Sequence, residues 1–306
     1  MPTIARSVPQ RWEAYVFPSN FEYFAPTTID EALGLLAEHG DEAKILAGGQ
    51  SLIPLMKLRF AAPAVVIDIN RVAGLDHLEE SKRGRGFLRI GALVRNATLE
   101  RSELLSSRYP TMAAAAPLIS DPIVRNQGTL VGSLCHADPQ GDFGSVMLAL
   151  DGEIVVRSTA GERRIPVKRF LDGPFTSTIR PDELAVEARV PSPEGRFSGT
   201  YLKLERKVGD FATVGVAVFV ATERGKVMRA GIGLTGVGAT NIKATEAEAA
   251  LVGHRLSDAA IDEASRLAAA AADPRTDVRG SADYKRDVVR VYVARGLQQL
   301  TGAKAA

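Results

Sequence analysis

The chain has 306 residues, and its charge is nearly balanced, with 38 basic and 36 acidic side chains and a formal net charge of +2. This balance excludes the large or concentrated excess of Lys and Arg that is typical of proteins binding nucleic acids or acidic membranes. Hydrophobic residues make up 45% of the chain, which is enough for the buried cores of two or three globular domains.

The N-terminal part of the chain predicts a small α/β unit. Residues 28–38 show helical spacing of apolar side chains and begin with the capping box Thr28-x-x-Glu31. Short apolar runs at 45–47 and 65–69 predict two buried strands. No G-x-G-x-x-G sequence joins a strand to a helix, so a dinucleotide-binding Rossmann fold is not indicated.

The rest of the chain predicts a second α/β stretch and then a separate α+β domain. The second stretch has a strand over 87–94, helices over 99–109, 111–119 and 144–150, and a hairpin over 153–167. After an exposed connection at 191–195, we predict strands over 200–204, 213–222 and 227–235 and helices over 241–252, 257–272 and 281–300. The predicted domain boundaries are 1–80, 81–192 and 193–306.

The cysteine and histidine contents limit the possible metal and redox chemistry. The single cysteine, Cys135, allows no intramolecular disulfide and cannot supply the four thiolates of a protein-bound iron–sulfur cluster. The four histidines show no ligand spacing with one another or with Cys135, so we predict no metal site on this chain. Cys135 itself is expected to be a packed thiol rather than a nucleophile.

Targeting signals are not indicated. No apolar stretch approaches the ~20 residues that span a bilayer. The first 25 residues lack the unbroken apolar run of a signal peptide, because they contain Pro2, Pro9, Arg11, Glu13, Pro18 and Glu22. We therefore expect a cytoplasmic protein.

A glycine pair follows the first predicted strand, in the sequence Ala47-Gly48-Gly49-Gln50-Ser51. Two successive glycines allow the backbone to turn sharply and to aim consecutive N–H groups at one point, which suits a phosphate or pyrophosphate. Ser51 adds a hydroxyl donor. The alternative is a tight turn that needs a positive φ and binds nothing.

A second glycine-rich segment, residues 125–133, is predicted to be a polar loop between helices. Asp142 follows it, where it either caps the next helix or accepts hydrogen bonds from a ribose or an adenine. Two such loops that face one another can hold a dinucleotide without a Rossmann fingerprint. Residues 203–207 form a small basic cluster, which is either the solvated face of a strand or a group that neutralises a phosphate.

Several motifs together resemble one family, the FAD-binding medium subunits of the molybdenum hydroxylases, which includes the aerobic carbon monoxide dehydrogenase and xanthine dehydrogenase branches. The likeness extends from about residue 21 to residue 300. It rests on LAGGQSLIP at 46–54, MKLR at 56–59, RNQGT at 125–129, DP at 138–139, GPF at 173–175 and RKVGDFAT at 206–213. Any one of these motifs would be weak alone, but the set is highly specific.

The resemblance implies an α+β fold class: a two-subdomain FAD-binding domain of the vanillyl-alcohol oxidase (PCMH) type, followed by an α+β flavoprotein C-terminal domain. It implies that 47–51 and 129–133 wrap the FAD pyrophosphate and that Asp142 contacts the adenosine half. It further implies that Leu184 and Lys203 lie near the flavin or its ribityl chain. The implied cofactor-binding residues are Leu46, Ala47, Gly48, Gly49, Gln50, Ser51, Leu52, Thr129, Val131, Gly132, Ser133, Asp142, Leu184, Lys203 and Phe211.

Two positions need separate comment. In the carbon monoxide dehydrogenase branch an aromatic residue in the position of Phe211 packs against the isoalloxazine, and a plain core position is the alternative. Val131 stands where the family commonly has a second glycine pair. Valine resists positive φ, so we expect a β conformation at Val131 or a loop slightly farther from the ligand. No histidine or cysteine is placed for a covalent link, so FAD should be noncovalent.

The resemblance also implies partners. In the family a large molybdopterin subunit oxidises the substrate, and a small subunit with two [2Fe–2S] clusters relays the electrons. This chain would then be the FAD-dependent electron-transfer subunit, an oxidoreductase component with no catalytic base, within a dimer of heterotrimers. The final acceptor would be a quinone, NAD or oxygen. The alternatives are a stand-alone flavoprotein oxidase of the same fold and a non-enzymatic scaffold whose glycine loops are plain turns.

Overall fold

The computed structural model describes residues 17–81 and 86–302. The expected lack of a signal peptide falls mainly on residues 1–16, outside the described residues, as do the outer ends of the first and last predicted domains. Within the described ranges, no helix has the length and apolar character needed to cross a bilayer.

Strands and helices are mixed through the first two thirds of the chain, and three helices end the described part, two of which are the longest in it. The strands are β1 (Glu22–Phe24), β2 (Ala43–Leu46), β3 (Val65–Asp68), β4 (Leu78–Ser81), β5 (Phe87–Gly91), β6 (Glu153–Ser158), β7 (Gly161–Pro166), β8 (Leu171–Gly173), β9 (Thr176–Ser177), β10 (Leu184–Pro191), β11 (Arg196–Leu204), β12 (Val214–Glu223), β13 (Lys226–Thr235) and β14 (Ile242–Lys243). The helices are α1 (Ile29–His39), α2 (Leu52–Lys57), α3 (Asn96–Glu100), α4 (Glu103–Arg108), α5 (Pro110–Ala115), α6 (Pro122–Gln127), α7 (Leu130–His136), α8 (Asp142–Ala149), α9 (Val167–Phe170), α10 (Thr245–Leu251), α11 (Asp258–Ala271) and α12 (Ala282–Gly302).

Four sheets lie in the part of the chain that the structure describes, the smallest of them the antiparallel pair β8-β9. A three-stranded parallel sheet has the order β1-β3-β2, and a five-stranded antiparallel sheet has the order β4-β5-β10-β6-β7. A four-stranded antiparallel sheet follows in the order β11-β12-β13-β14. The predicted α+β class is therefore confirmed.

The parallel sheet positions the first glycine pair. Helix α1 begins where predicted, because Thr28 Oγ1 accepts a hydrogen bond from the Glu31 N–H and the Glu31 carboxylate accepts one from the Thr28 N–H. Strands β2 and β3 occupy the predicted runs and pair in parallel, with Leu46 beside Asp68. Since neighbouring parallel strands end at the same edge of a sheet, the residues that follow β2 and β3 meet there.

Local helix signals divide the second stretch more finely than predicted. The hairpin of β6 and β7 is confirmed, but the strand predicted over 87–94 ends at Gly91. The helix predicted over 99–109 is broken, because Ser102 Oγ accepts a hydrogen bond from the Leu105 N–H and starts α4. Pro110 then starts α5, as suits its fixed φ.

The prediction of a loop over 125–133 is wrong. Helix α6 begins after Asp121, whose carboxylate accepts a hydrogen bond from the Val124 N–H. Helix α7 begins after Thr129, whose hydroxyl accepts a hydrogen bond from the Gly132 N–H at 3.1 Å. Both capping side chains favour helix starts, so Gly128 and Thr129 alone connect two short helices.

The four-stranded sheet packs backbone to backbone on α8. A Cβ at Gly231 would lie 1.8 Å from Ala149 O, and one at Gly233 would lie 2.0 Å from Ser145 O. Along β12 successive side chains point to opposite faces. Val216 and Val218 pack with the C-terminal helices, whereas Ala217 and Phe219 join the core of the preceding part of the chain. The two faces of the C-terminal sheet therefore contribute to two different hydrophobic cores.

A buried carboxylate lies in the centre of the five-stranded sheet. Glu187 accepts hydrogen bonds from His77 Nε2 at 2.9 Å and from Arg89 Nη2 at 2.6 Å, and Arg189 also contacts it. Burial opposes ionisation, but these hydrogen bonds outweigh it and hold the pKa of Glu187 at about 2. The bond to Glu187 also raises the pKa of His77.

Replacing His77 by Gln is expected to remove a pH-dependent part of the stability. The pKa of His77 is raised above its unfolded value of 6.5, so protonated His77 stabilises the fold below about pH 6.5, and this contribution is lost as the pH rises through the folded pKa. As the pH rises, the free energy of unfolding of wild type should fall by about 0.5–1 kcal/mol more than that of His77→Gln. This range is small because the ring is partly exposed and solvent screens its interaction with Glu187. Urea unfolding at about pH 6 and about pH 8 measures this difference. The exposed His254, changed to Gln, is the control; a wild-type advantage that grows with pH would contradict the expectation.

Candidate functional site

The two glycine-rich segments are in direct contact. We name residues 46–52 the first cradle segment and residues 127–133 the second cradle segment. A Cβ at Gly48 would lie 2.4 Å from Gln127 O and 2.8 Å from the Gly128 Cα. Only glycine permits so close an approach. The structure thus brings the two segments together with no side chain between them at this point.

The first cradle segment has a turn with a positive φ, followed by a helix without a side-chain cap at its N-terminus. Gly49 has a φ of +71°, a region that favours glycine, so the requirements of a tight turn and of a binding loop coincide here. Ser51 precedes α2 and makes no capping hydrogen bond. Its hydroxyl is therefore available to a ligand, whereas the Ile53 N–H donates to Gly49 O at 3.1 Å and Pro54 has no N–H. The other members are half-buried or exposed: Leu46, Ala47, Gly48, Gln50 and Leu52.

The second cradle segment runs from the last residue of α6, through Gly128 and Thr129, into the start of α7. Thr129 is 4% exposed and caps the helix, while Gly132 and Ser133 are half-buried. The expected β conformation of Val131 is wrong, because Val131 is helical. Its side chain is buried in the main core. The bulk of Val131 therefore lies in the core rather than in the cradle.

Asp142 and Lys203, which the family resemblance implies to lie near FAD, bind each other. Asp142 Oδ2 accepts a hydrogen bond from Lys203 Nζ at 3.0 Å, and Oδ1 accepts one from the Tyr201 hydroxyl at 2.6 Å. Lys203 Nζ also donates to Leu118 O at 2.8 Å. Burial raises the pKa of Asp142, and Lys203 opposes that shift. This ion pair joins α8 to the C-terminal sheet.

Two sequence interpretations at this pair are wrong. Asp142 does not cap α8: the capping position is Gly141, and Asp142 is the first residue of the helix. Lys203 is not on a solvated face, since its side chain is only 2% exposed. Arg206 and Lys207, later in the same basic cluster, are exposed as expected.

Leu184 and Phe211 differ sharply in exposure. Leu184 opens β10 and is 2% exposed, whereas Phe211 is 53% exposed, so the core interpretation of Phe211 is wrong. Arg279 fixes the Phe211 loop by donating to Phe211 O at 3.1 Å and to the Asp210 carboxylate. In the same loop, the position of a Cβ at Gly209 is 3.2 Å from Ser120 O. The loop therefore lies against the turn that precedes α6.

Two residues that the sequence did not indicate join the cradle segments. Asn70 Nδ2 donates to Ala47 O at 2.8 Å, and Arg95 Nη1 donates to Gln127 O at 2.8 Å. The position of Asn70 is a signal that the sequence contains, because Asn70 follows β3 at the same sheet edge where the first cradle segment follows β2. No local pattern marks Arg95.

Metal and thiol chemistry receive no support from the described residues. Across 17–81 and 86–302, no group of three or more His, Cys, Asp or Glu side chains is arranged to hold a metal ion. Burial raises the pKa of Cys135 to about 12, so its reactive thiolate is scarce near neutral pH.

Two family models match the chain. Residues 19–193 match the FAD binding domain in molybdopterin dehydrogenase, and residues 199–300 match the CO dehydrogenase flavoprotein C-terminal domain. Together they contain both cradle segments, the Asp142–Lys203 pair and Phe211.

Similar proteins agree with these matches. The chain is 41% identical over 281 residues to the 6-hydroxypseudooxynicotine dehydrogenase complex subunit alpha of Paenarthrobacter nicotinovorans, covering 92% of this chain and 94% of that protein. It is 37% identical over 282 residues to the carbon monoxide dehydrogenase medium chain of Hydrogenophaga pseudoflava, covering 92% and 97%. A solved structure of carbon monoxide dehydrogenase from Hydrogenophaga pseudoflava superposes with a TM-score of 0.87 and 40% identity over 92% of this chain and 97% of that one. The chain therefore belongs to the FAD-binding medium subunits of the molybdenum hydroxylases, and it is an oxidoreductase subunit.

Proposed function

We propose that this chain binds FAD noncovalently at the two cradle segments and acts as the electron-transfer subunit of a three-chain molybdenum hydroxylase. The proposal rests on the close approach of Gly48 to the backbone of Gln127 and Gly128. Because of this approach, two segments that are distant in sequence are available to bind one ligand. The family match supplies the class of cofactor.

The residues present fit a diphosphate. Glycine at position 48 keeps the two backbones in contact, and the positive φ of Gly49 turns the chain sharply before α2. Consecutive N–H groups in such a turn form a concave site for an anion. Ser51 occupies the N-cap position of α2 but makes no capping hydrogen bond, so its hydroxyl adds a donor to the site. We assign the diphosphate to 47–51 and 129–133.

The remaining proposed contacts differ in their support. The exposed ring of Phe211 supports packing against the isoalloxazine. Leu184 is proposed near the flavin or ribityl chain on the family pattern. Asp142 and Lys203 are proposed beside the adenosine half and the flavin, and their mutual ion pair supports a role in holding the walls of the site together.

When bound, FAD supplies the redox chemistry, taking electrons from the [2Fe–2S] clusters of a partner chain and passing them to an external acceptor. The chain's own residues bind and orient the cofactor, and none is assigned to proton transfer. The proposed partners are a small iron–sulfur subunit and a large molybdopterin subunit, in a dimer of heterotrimers located in the cytoplasm. The domain boundaries at 80/81 and 192/193 stay predictions.

Flavin content is the first test. We expect the purified chain to be yellow, to release a stoichiometric amount of FAD on denaturation, and to copurify under native conditions with iron–sulfur and molybdopterin chains. A colourless chain that does not bind added FAD would contradict the proposal. If the FAD-loaded chain alone oxidises an alcohol or an amine and forms hydrogen peroxide from oxygen, the stand-alone oxidase takes its place.

A further inference from the structure

Two polar side chains link the cradle segments to each other. Arg95 Nη1 donates to Gln127 O at 2.8 Å in the second cradle segment, and Arg95 Nη2 donates to Asn70 Oδ1 at 2.5 Å. Asn70 Nδ2 in turn donates to Ala47 O at 2.8 Å in the first cradle segment. A continuous path of three hydrogen bonds therefore runs from one segment to the other.

The orientation of the Asn70 amide is determined by its surroundings. Asp68 Oδ1 accepts from both the Asn70 backbone N–H, at 2.9 Å, and Nδ2, at 2.6 Å. The opposite orientation would aim the amide oxygen at a carboxylate and a carbonyl, and the amide nitrogen at a guanidinium. Asp68 therefore holds Asn70 in the one orientation that can bind both Ala47 and Arg95.

The backbone beside Arg95 reinforces the second contact. The Asn96 N–H donates to Gly128 O at 2.9 Å, and Arg95 pairs with Thr129 as an isolated β-bridge. Arg95 thus approaches the second cradle segment through both its side chain and its backbone. By contrast, Arg101 at the C-terminal end of α3 is exposed and makes no contact of this kind with the second cradle segment.

We propose that Asn70 and Arg95 form a clasp that fixes the separation of the two cradle segments before FAD binds, so that both act as positioning residues for the cofactor. This inference rests on the proposed function. The clasp acts through carbonyl oxygens of the cradle and touches no reacting atom. Its loss leaves the identity of the cradle residues unchanged but lets the two segments move apart.

The test compares Arg95→Gln, Asn70→Ala and their double variant with the control Arg101→Gln. We expect each single variant to bind FAD about tenfold more weakly, as the loss of one or two hydrogen bonds implies. The double variant should be no weaker than Arg95→Gln, because both residues act through one link. Arg95→Lys keeps the charge but not the forked geometry, so it should fall between wild type and Arg95→Gln. Titration of the apo chain with FAD, followed by flavin fluorescence, gives these constants.

Hydrogen exchange of the apo chain provides a readout that does not depend on FAD. The Asn96 N–H and the amides of the second cradle segment should exchange faster in Arg95→Gln than in Arg101→Gln, with little change in the thermal midpoint of unfolding. Variants that bind FAD as wild type does, or singles whose losses add in the double variant, would overturn the clasp and leave the proposed function intact. A wild-type chain that binds no FAD would overturn the proposed function, and unchanged exchange would overturn the clasp independently.

Discussion

Gly48→Ala is expected to weaken FAD binding by about 5- to 150-fold, the equivalent of the roughly 1–3 kcal/mol that overpacking costs. The new Cβ would lie 2.4 Å from Gln127 O and 2.8 Å from the Gly128 Cα. Both obstructing atoms belong to the backbone, so no side-chain rotation relieves the clash. The two cradle segments must move apart, which disturbs the site that depends on their contact.

Gly34→Ala is the matched control for this substitution. Gly34 lies in α1, and a Cβ there would meet nothing within 4 Å. Alanine at an exposed helical position is expected to raise the stability slightly, by up to about 1 kcal/mol, and to leave FAD affinity unchanged. Titration with FAD and thermal unfolding of both apo variants separate affinity from stability. Wild-type affinity in Gly48→Ala would show that the contact between the cradle segments does not matter for the cofactor.

The features that the sequence predicts well depend on patterns among neighbouring residues. The capping box of Thr28 and Glu31, the apolar strands before and after the glycine pair, and the hairpin of β6 and β7 all depend on neighbouring residues. The glycines and polar residues of the second cradle segment favour a loop by composition, whereas the structure has two helices there. Asp121 and Thr129 are residue types that cap helices, so the sequence does contain a local signal for the starts of α6 and α7.

The features that were missed depend on contacts between distant residues. Lys203 pairs with Asp142, which is 61 positions away, so a basic cluster that looks solvated in the sequence is partly buried. Arg95 reaches Gln127 across 32 positions. No periodicity or spacing carries such pairings. The family resemblance named Asp142 and Lys203 as site residues, but only the fold shows that they bind each other.

Lys203→Met is expected to destabilise the chain by about 3–5 kcal/mol near neutral pH, because it leaves Asp142 as a buried carboxylate without its cation. The Lys203 side chain is 2% exposed and that of Asp142 is 7% exposed, so water cannot replace the lost partner. Tyr201 still donates to Oδ1, but one hydroxyl does not compensate a buried charge. The midpoint of urea unfolding measures the loss, and Lys207→Met, at an exposed lysine of the same cluster, should change the stability by less than about 0.5 kcal/mol.

The dependence on pH identifies the cause of this loss. Burial already raises the pKa of Asp142, and Lys203 is the strongest opposing interaction, so the variant should raise that pKa further. A carboxyl whose folded pKa lies above its unfolded value favours the folded state at low pH, and this contribution is lost as the pH rises through the folded pKa. The deficit of Lys203→Met should therefore shrink as the pH falls, and Asp142→Asn combined with Lys203→Met should recover much of the stability at neutral pH. A variant that keeps wild-type stability but loses FAD would instead show that Lys203 serves the cofactor directly, and the ion pair would not be what holds α8 to the C-terminal sheet.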